Sequence, residues 1–254
     1  MSGPINVYFV CGGKYHDIDY VRLEMLKLFA EEQRFRVRMG EDYSAIDAIT
    51  DSDVLVTYTV DVVPTPEQTA KIEDWLAAGH RWFALHATNS ILKFRDDGKV
   101  DCPDEAPEFM RMLGSQFKGH PPIDYYPVTV SAGKESDPLV AGIDPMLVED
   151  ELYVSEFFED VEVLLETTWG GKCAGFVAED VPERVHPILY RKNHGKGEIL
   201  FLTLGHARSK YDMQPMLDVY PKMERGAWTV PDYYELLRRG LRWSMEPPTE
   251  AAAA

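Results

Sequence analysis

The sequence predicts an α/β fold built on a parallel, doubly wound sheet. Three observations carry that expectation. Over residues 1–90, short β-rich apolar runs alternate with stretches of helical spacing. The connections are short, and parallel neighbours joined in this way cross over right-handedly. Several of the apolar runs also end abruptly in polar loops, as strands do at the ligand-binding rim of an open α/β sheet.

In chain order, residues 5–10 read as the first strand, followed by the loop Cys11-Gly12-Gly13-Lys14-Tyr15-His16-Asp17. Residues 20–33 have helical spacing, with Val21, Leu23, Met25, Leu26, Leu28 and Phe29 on one broad face. Residues 35–39 read as a second strand, 43–50 as a short helix or turn, and 53–58 as a third strand. Thr65 is a natural N-cap for a helix that runs to Ala78 and closes at Gly79. Arg81 to Leu85 is a buried strand that ends at His86. Residues 86–119 form a long connection with a helix near 105–113, and long connections in compact domains are often functional.

Residues 125–131 alternate as a strand, 136–139 turn, and an extended run begins at Asp150 and reaches Val154. A further strand over 161–167 is expected to break at Gly170-Gly171. Residues 186–191 and 198–203 form a hairpin around 193–197, leading to Leu204-Gly205-His206. A terminal amphipathic helix covers 232–245. Residues 1–245 therefore read as one domain, and 246–254 as a loose tail.

Composition excludes several functions. The net charge of -17 comes from 26 Lys and Arg against 43 Asp and Glu, with no basic cluster. Such a chain repels phosphate backbones and anionic lipid, so neither nucleic acid nor a membrane surface is an expected partner. No apolar run approaches the roughly 20 residues of a membrane span. No basic, apolar leader opens the chain. Cys11, Cys102 and Cys173 are scattered and odd in number, which suits a reducing cytoplasm better than a disulfide framework. Whether the chain forms a homo-oligomer is left open.

Candidate chemistry gathers on histidines. His16, His86 and His206 each follow a strand, so parallel strands would place all three on one rim. One loop histidine is usually a surface or hydrogen-bonding residue, but three in matching positions favour a shared site. His120, in Lys118-Gly119-His120-Pro121, is a fourth candidate. His80, His186 and His194 read as structural. Glu151, in Glu149-Asp150-Glu151-Leu152-Tyr153, supplies a carboxylate as base or ligand. Histidines with a carboxylate can hold Zn²⁺ with an open position, or another divalent ion such as Mn²⁺. The spacing matches no zinc motif and no glycine-rich nucleotide motif, so no nucleotide is expected. A nucleophile elbow would need Ser or Cys where His86 stands, and Ser90 lies four residues late.

Gly12-Gly13-Lys14-Tyr15-His16-Asp17, Leu85-His86-Ala87-Thr88, Leu113 to Pro121, Asp137-Pro138-Leu139, Asp150-Glu151-Leu152-Tyr153, Pro187 to Tyr190, Gly195-Lys196-Gly197 and Leu204-Gly205-His206 occur in that order. Together they resemble the motifs of the ThuA-like (trehalose-utilisation) family over most of the chain. That family is similar in fold to the class I glutamine amidotransferases. The resemblance implies a flavodoxin-like three-layer sandwich with a mostly parallel central sheet. It also implies a role with trehalose or oxidised (keto) disaccharides, and hence a small-molecule carbohydrate partner.

Departures from the amidotransferase pattern imply that glutaminase chemistry is absent. His86 holds the elbow, and His206-Ala207-Arg208 replaces the late His-x-Glu motif. Asp137 and Tyr190 stand where many family members have His and Trp, which suggests a different substrate. Residues 175–183 read as an insertion able to reshape the mouth of the site.

The expectation is a carbohydrate-active enzyme in which His86, His206 and Glu151 are catalytic. His16, Asp17, His120, Tyr153 and Arg208 bind substrate, and His16, His86 and His206 are the metal ligands. The alternative is a non-catalytic carbohydrate-binding or regulatory protein on the same scaffold.

Overall fold

The structure, a computed structural model, describes residues 3–214 and 216–246. The tail expected over 246–254 lies, from Pro247 onward, outside the described residues. The first half of the chain runs β1 (Ile5–Gly13), α1 (Ile18–Ala30), β2 (Phe35–Gly40), α2 (Ile46–Thr50), β3 (Val54–Val60), α3 (Pro66–Ala77) and β4 (Arg81–Leu85). A small hairpin, β5 (Lys93–Phe94) and β6 (Val100–Asp101), precedes α4 (Pro107–Leu113), β7 (Ser115–Gly119) and β8 (Asp124–Val130). Then come β9 (Met146–Asp150), β10 (Val154–Phe157), β11 (Glu162–Lys172), β12 (Asp180–His194), β13 (Gly197–Leu202) and α5 (Pro231–Ser244).

Among the described residues nine strands form one sheet, in the order β2-β1-β3-β4-β13-β12-β11-β8-β9. The pairings from β2 through β13 are parallel. The parallel half follows the doubly wound order of flavodoxin-like folds, with its switch point between β1 and β3. From β13 outward every pairing is antiparallel.

Alternation along the central strands feeds two cores. Val7, Phe9, Val56, Phe83 and Leu202 face a core shared with α1 and α5. Tyr8, Val10, Leu55, Trp82 and Phe201 face one shared with α2, α3 and α4. A strand buried on both faces reads as an unbroken apolar run, which is why β3 and β4 were evident from sequence. Each fully buried Val, Leu or Phe contributes roughly 1.5–3 kcal/mol. Thr65 caps α3 as expected, in a reciprocal box with Gln68. Among the described residues no helix is long and apolar enough to cross a membrane.

The structure corrects several sequence expectations. In α1 only Val21, Met25, Leu28 and Phe29 are buried, while Leu23 and Leu26 are exposed, because the helix meets the sheet along a narrower stripe. The extended run at 150–154 is two strands with Glu151, Leu152 and Tyr153 between them. Gly170 and Gly171 do not end β11, which passes through them with a register shift. His186 lies inside β12 rather than at its start. β7 pairs with β10 in a separate two-stranded sheet that sequence reading missed.

Candidate functional site

Three carboxyl-end loops of the parallel half bring the histidines together. β4 is buried at every position and turns sharply at His86, which opens a 3₁₀ turn over His86–Asn89. His86 has a φ of +43°, a left-handed conformation that strains a residue with a side chain. The Thr88 hydroxyl anchors this elbow by donating to the Leu85 carbonyl at 2.8 Å. β13 exits through Gly205, where φ is +124° and a Cβ would lie 2.3 Å from the Tyr233 hydroxyl. Only glycine fits there, and His206 follows it. β1 leads to His16, and the next residue, Asp17, donates its backbone N–H to the Ala207 carbonyl at 2.7 Å, tying two of the loops together.

Glu151 completes the group from the break between β9 and β10. The ligating atoms of His16, His86, Glu151 and His206 all lie within 4.8 Å of one another. All four side chains are buried. His16 Nε2 is 3.0 Å from His86 Nε2 and 3.2 Å from His206 Nδ1. Glu151 Oε1 is 3.1 Å from His206 Nδ1, and Oε2 is 3.5 Å from His86 Nε2 and 3.8 Å from His16 Nε2.

The outer hydrogen bonds decide which nitrogens point inward without a proton. His86 Nδ1 donates to the Thr203 carbonyl at 2.8 Å, so its Nε2 lone pair faces the cluster when the ring is neutral. His206 Nε2 donates to Glu224 Oε2 at 2.9 Å, which leaves Nδ1 facing the cluster. Converging lone pairs require a proton or a metal cation between them. Without a metal the proton falls on His206. Burial opposes its charge, but Glu151 and Glu224 outweigh burial and raise it to about 9. His16 goes the other way, driven down to about 3 by burial against the pull of Glu151. Burial would raise Glu151, yet His120, His206 and His16 hold it well below the usual carboxylate range.

The same donors fit a divalent ion. Tetrahedral ligands about 2.0–2.1 Å from zinc stand roughly 3.3–3.4 Å apart. The separations of 3.0, 3.1, 3.2 and 3.5 Å lie on either side of that spacing, and the 3.8 Å from Glu151 Oε2 to His16 Nε2 is wider. Imidazole with carboxylate suits Zn²⁺ or Mn²⁺. The carbonyl behind His86 and the carboxylate behind His206 are the outer partners that metal-binding histidines require. A thiolate nucleophile has no place here. Cys11, Cys102 and Cys173 are buried free thiols, and burial pushes them up to about 12, 12 and 11.

The remaining sequence candidates fall in a second ring. His120 Nε2 is 3.4 Å from Glu151 Oε1, at the partly exposed edge of the cluster. The Tyr153 hydroxyl is 3.2 Å from His86 Nε2. Asp17 lies one step out, where it caps α1 and pairs with Arg225 at 3.0 Å. Arg208 is also one step out, bound to Glu224 rather than to the cluster. Phe176, from the segment at 175–183, packs 5.0 Å from the His120 ring, so that segment does border the mouth. Asp137 and Tyr190 occupy scaffold positions. Asp137 pairs with Arg191 at 2.9 Å, and the buried Tyr190 hydroxyl donates to the Leu113 carbonyl at 2.8 Å.

Two residues of the site escaped sequence reading. Glu224 sits in an irregular connection with no local signal. Asp150 lies in Asp150-Glu151-Leu152-Tyr153, where nothing local signals its role. Its buried carboxylate accepts from four backbone N–H groups: Glu151 at 2.7 Å, His206 at 3.2 Å, Gly205 at 3.0 Å and Ala227 at 2.7 Å. It thereby pins the Glu151 and His206 segments to each other.

The chain matches the ThuA family, described as trehalose utilisation, over residues 6–222. It belongs to that family. Among solved structures this ThuA-family chain resembles proteins described as ThuA-like from Parabacteroides merdae and Bacteroides uniformis. The first shares 16% identity at a TM-score of 0.68, over 98% of this chain and 94% of that one. The second shares 16% at 0.66, over 96% and 93%. A β-galactosidase of Rahnella sp. shares 12% at 0.54, over 95% of this chain but 32% of that one. These likenesses establish the fold, an α/β sandwich whose mixed sheet has a parallel core flanked by helices. No curated protein sequence matches the chain.

Proposed function

We propose that this ThuA-family protein is an enzyme of carbohydrate metabolism that acts on trehalose or an oxidised (keto) disaccharide through a divalent ion held by His16, His86, His206 and Glu151. The observation that carries the proposal is the convergence of three imidazole nitrogens and a carboxylate within 4.8 Å, in a family described by trehalose utilisation. A bound ion would polarise a sugar carbonyl or lower the pKa of a water. Glu151 either ligates through one oxygen or takes a proton through the other. His120, partly exposed and 3.4 Å from Glu151, would pass that proton outward. The Tyr153 hydroxyl, held protonated by burial and by Glu151, is a donor for a substrate oxygen. The buried free cysteines are consistent with the cytoplasm as the compartment.

Mass spectrometry of keto-disaccharide mixtures incubated with the protein tests this reading. Turnover should disappear on chelation, return with Zn²⁺ or Mn²⁺, and be lost in His86→Ala. Turnover that survives both chelation and His86→Ala would refute the metal mechanism. Saturable sugar binding without turnover would favour a carbohydrate-binding role instead.

A further inference from the structure

The three ligand histidines differ in what stands behind them. His16 Nδ1 is buried without a hydrogen-bond partner among the described residues. His86 is backed by a neutral carbonyl, that of Thr203. His206 is backed by a carboxylate, that of Glu224. A carboxylate behind a ligating imidazole fixes the ring, sets the tautomer and makes the ligand more basic.

From this arrangement we infer that Glu224 is a positioning residue that holds His206 with its Nδ1 toward the ion, and so makes His206 the strongest of the three histidine ligands. The inference rests on the metal reading of the same cluster. Its basis is geometric. A carboxylate oxygen 2.9 Å from Nε2 can only accept, so the ring hydrogen sits on Nε2 and the Nδ1 lone pair is left free. That Nδ1 is 3.1 Å from Glu151 Oε1 and 3.2 Å from His16 Nε2.

Glu224 is itself held in place. Its backbone exchanges hydrogen bonds with Arg208, N–H to carbonyl in both directions at 2.8 and 3.0 Å. The Arg208 guanidinium also binds its carboxylate. This pair forms a neck that joins residues 208 and 224, fastened directly behind a ligand. Arg225, the next residue, pairs with Asp17 at 3.0 Å and stacks over Tyr20 at 4.0 Å. The neck is thus tied to the loop that carries His16.

Co²⁺ titration of the full-length, metal-free protein tests the inference, with visible absorption reporting coordination and circular dichroism checking the fold. Wild type should bind one Co²⁺. Glu224→Ala should bind it roughly 10- to 100-fold more weakly, the usual loss when such a backing carboxylate is removed. Glu224→Gln, whose amide oxygen can still accept from Nε2, should fall between the two. Folded Glu224→Ala with wild-type affinity and spectrum would overturn the inference and leave the metal reading standing. If Glu224→Ala does not fold, Glu224→Gln decides: weaker binding supports the role, and unchanged binding rejects it. Failure of wild type to bind Co²⁺ would overturn both.

Discussion

The histidines and the carboxylates of the site reach it by different routes. His16, His86 and His206 leave the ends of β1, β4 and β13, three strands buried on both faces in the parallel half of the sheet. Asp150 ends an edge strand, Glu151 opens the break after it, and Glu224 comes from an irregular connection. The parallel half supplies the imidazoles, and the irregular segments supply the carboxylates. Strand ends set positions to within packing tolerance, whereas the carboxylates must be held by hydrogen bonds of their own. That division identifies Asp150 and Gly205 as the places where the two routes are joined.

Breaking the join at Asp150 should have the largest effect. Asp150→Ala would leave four buried N–H groups without an acceptor, each unmet group costing about 1–3 kcal/mol. Urea unfolding should therefore show a loss of roughly 4 kcal/mol or more. A loss under about 1 kcal/mol would mean that these segments are held by something else.

Gly205→Ala should come next, at roughly 2–3 kcal/mol, from the left-handed backbone and the contact with Tyr233. Removing the hydroxyl in a Tyr233→Phe background should recover part of that loss. Strict additivity of the two substitutions would exclude the clash as a cause.

The histidine side of the comparison has a pH signature. In metal-free protein the folded-state value of His206 is raised from 6.5 to about 9. Its contribution is therefore full below about 6.5 and is lost as pH rises toward 9. The urea midpoint should fall between pH 6.5 and 9, and Glu224→Gln should flatten that fall. A midpoint that is constant or rising over this interval would show that His206 is not the proton's site. The smallest effect belongs to Leu23→Ala. This side chain is 53% exposed in α1, so the change should stay within about 0.5 kcal/mol.

What could be read from sequence follows the same division. β3, β4 and the capped α3 were evident because unbroken apolar runs and a cap residue are local signals. The convergence of His16, His86 and His206 followed from parallel topology alone. Glu224 could not be seen, because its partner is set by the path of an irregular connection and not by spacing. The exposure of Leu23 and Leu26 was hidden for a related reason. Six apolar residues in one helix cannot show which of them meet the sheet. Of the antiparallel half only the β12–β13 hairpin was foreseen as a pair, since alternation does not reveal which distant neighbour a strand chooses.

The central claim is that the cluster is a metal centre. X-ray absorption on protein purified without chelator and loaded with Zn²⁺ tests it most directly. The account predicts one ion per chain, with three imidazole nitrogens at about 2.0–2.1 Å and at least one carboxylate oxygen, and loss of that signature in His86→Ala. Protein that takes up no stoichiometric Zn²⁺ or Mn²⁺, or that binds the ion unchanged in His86→Ala, would contradict it.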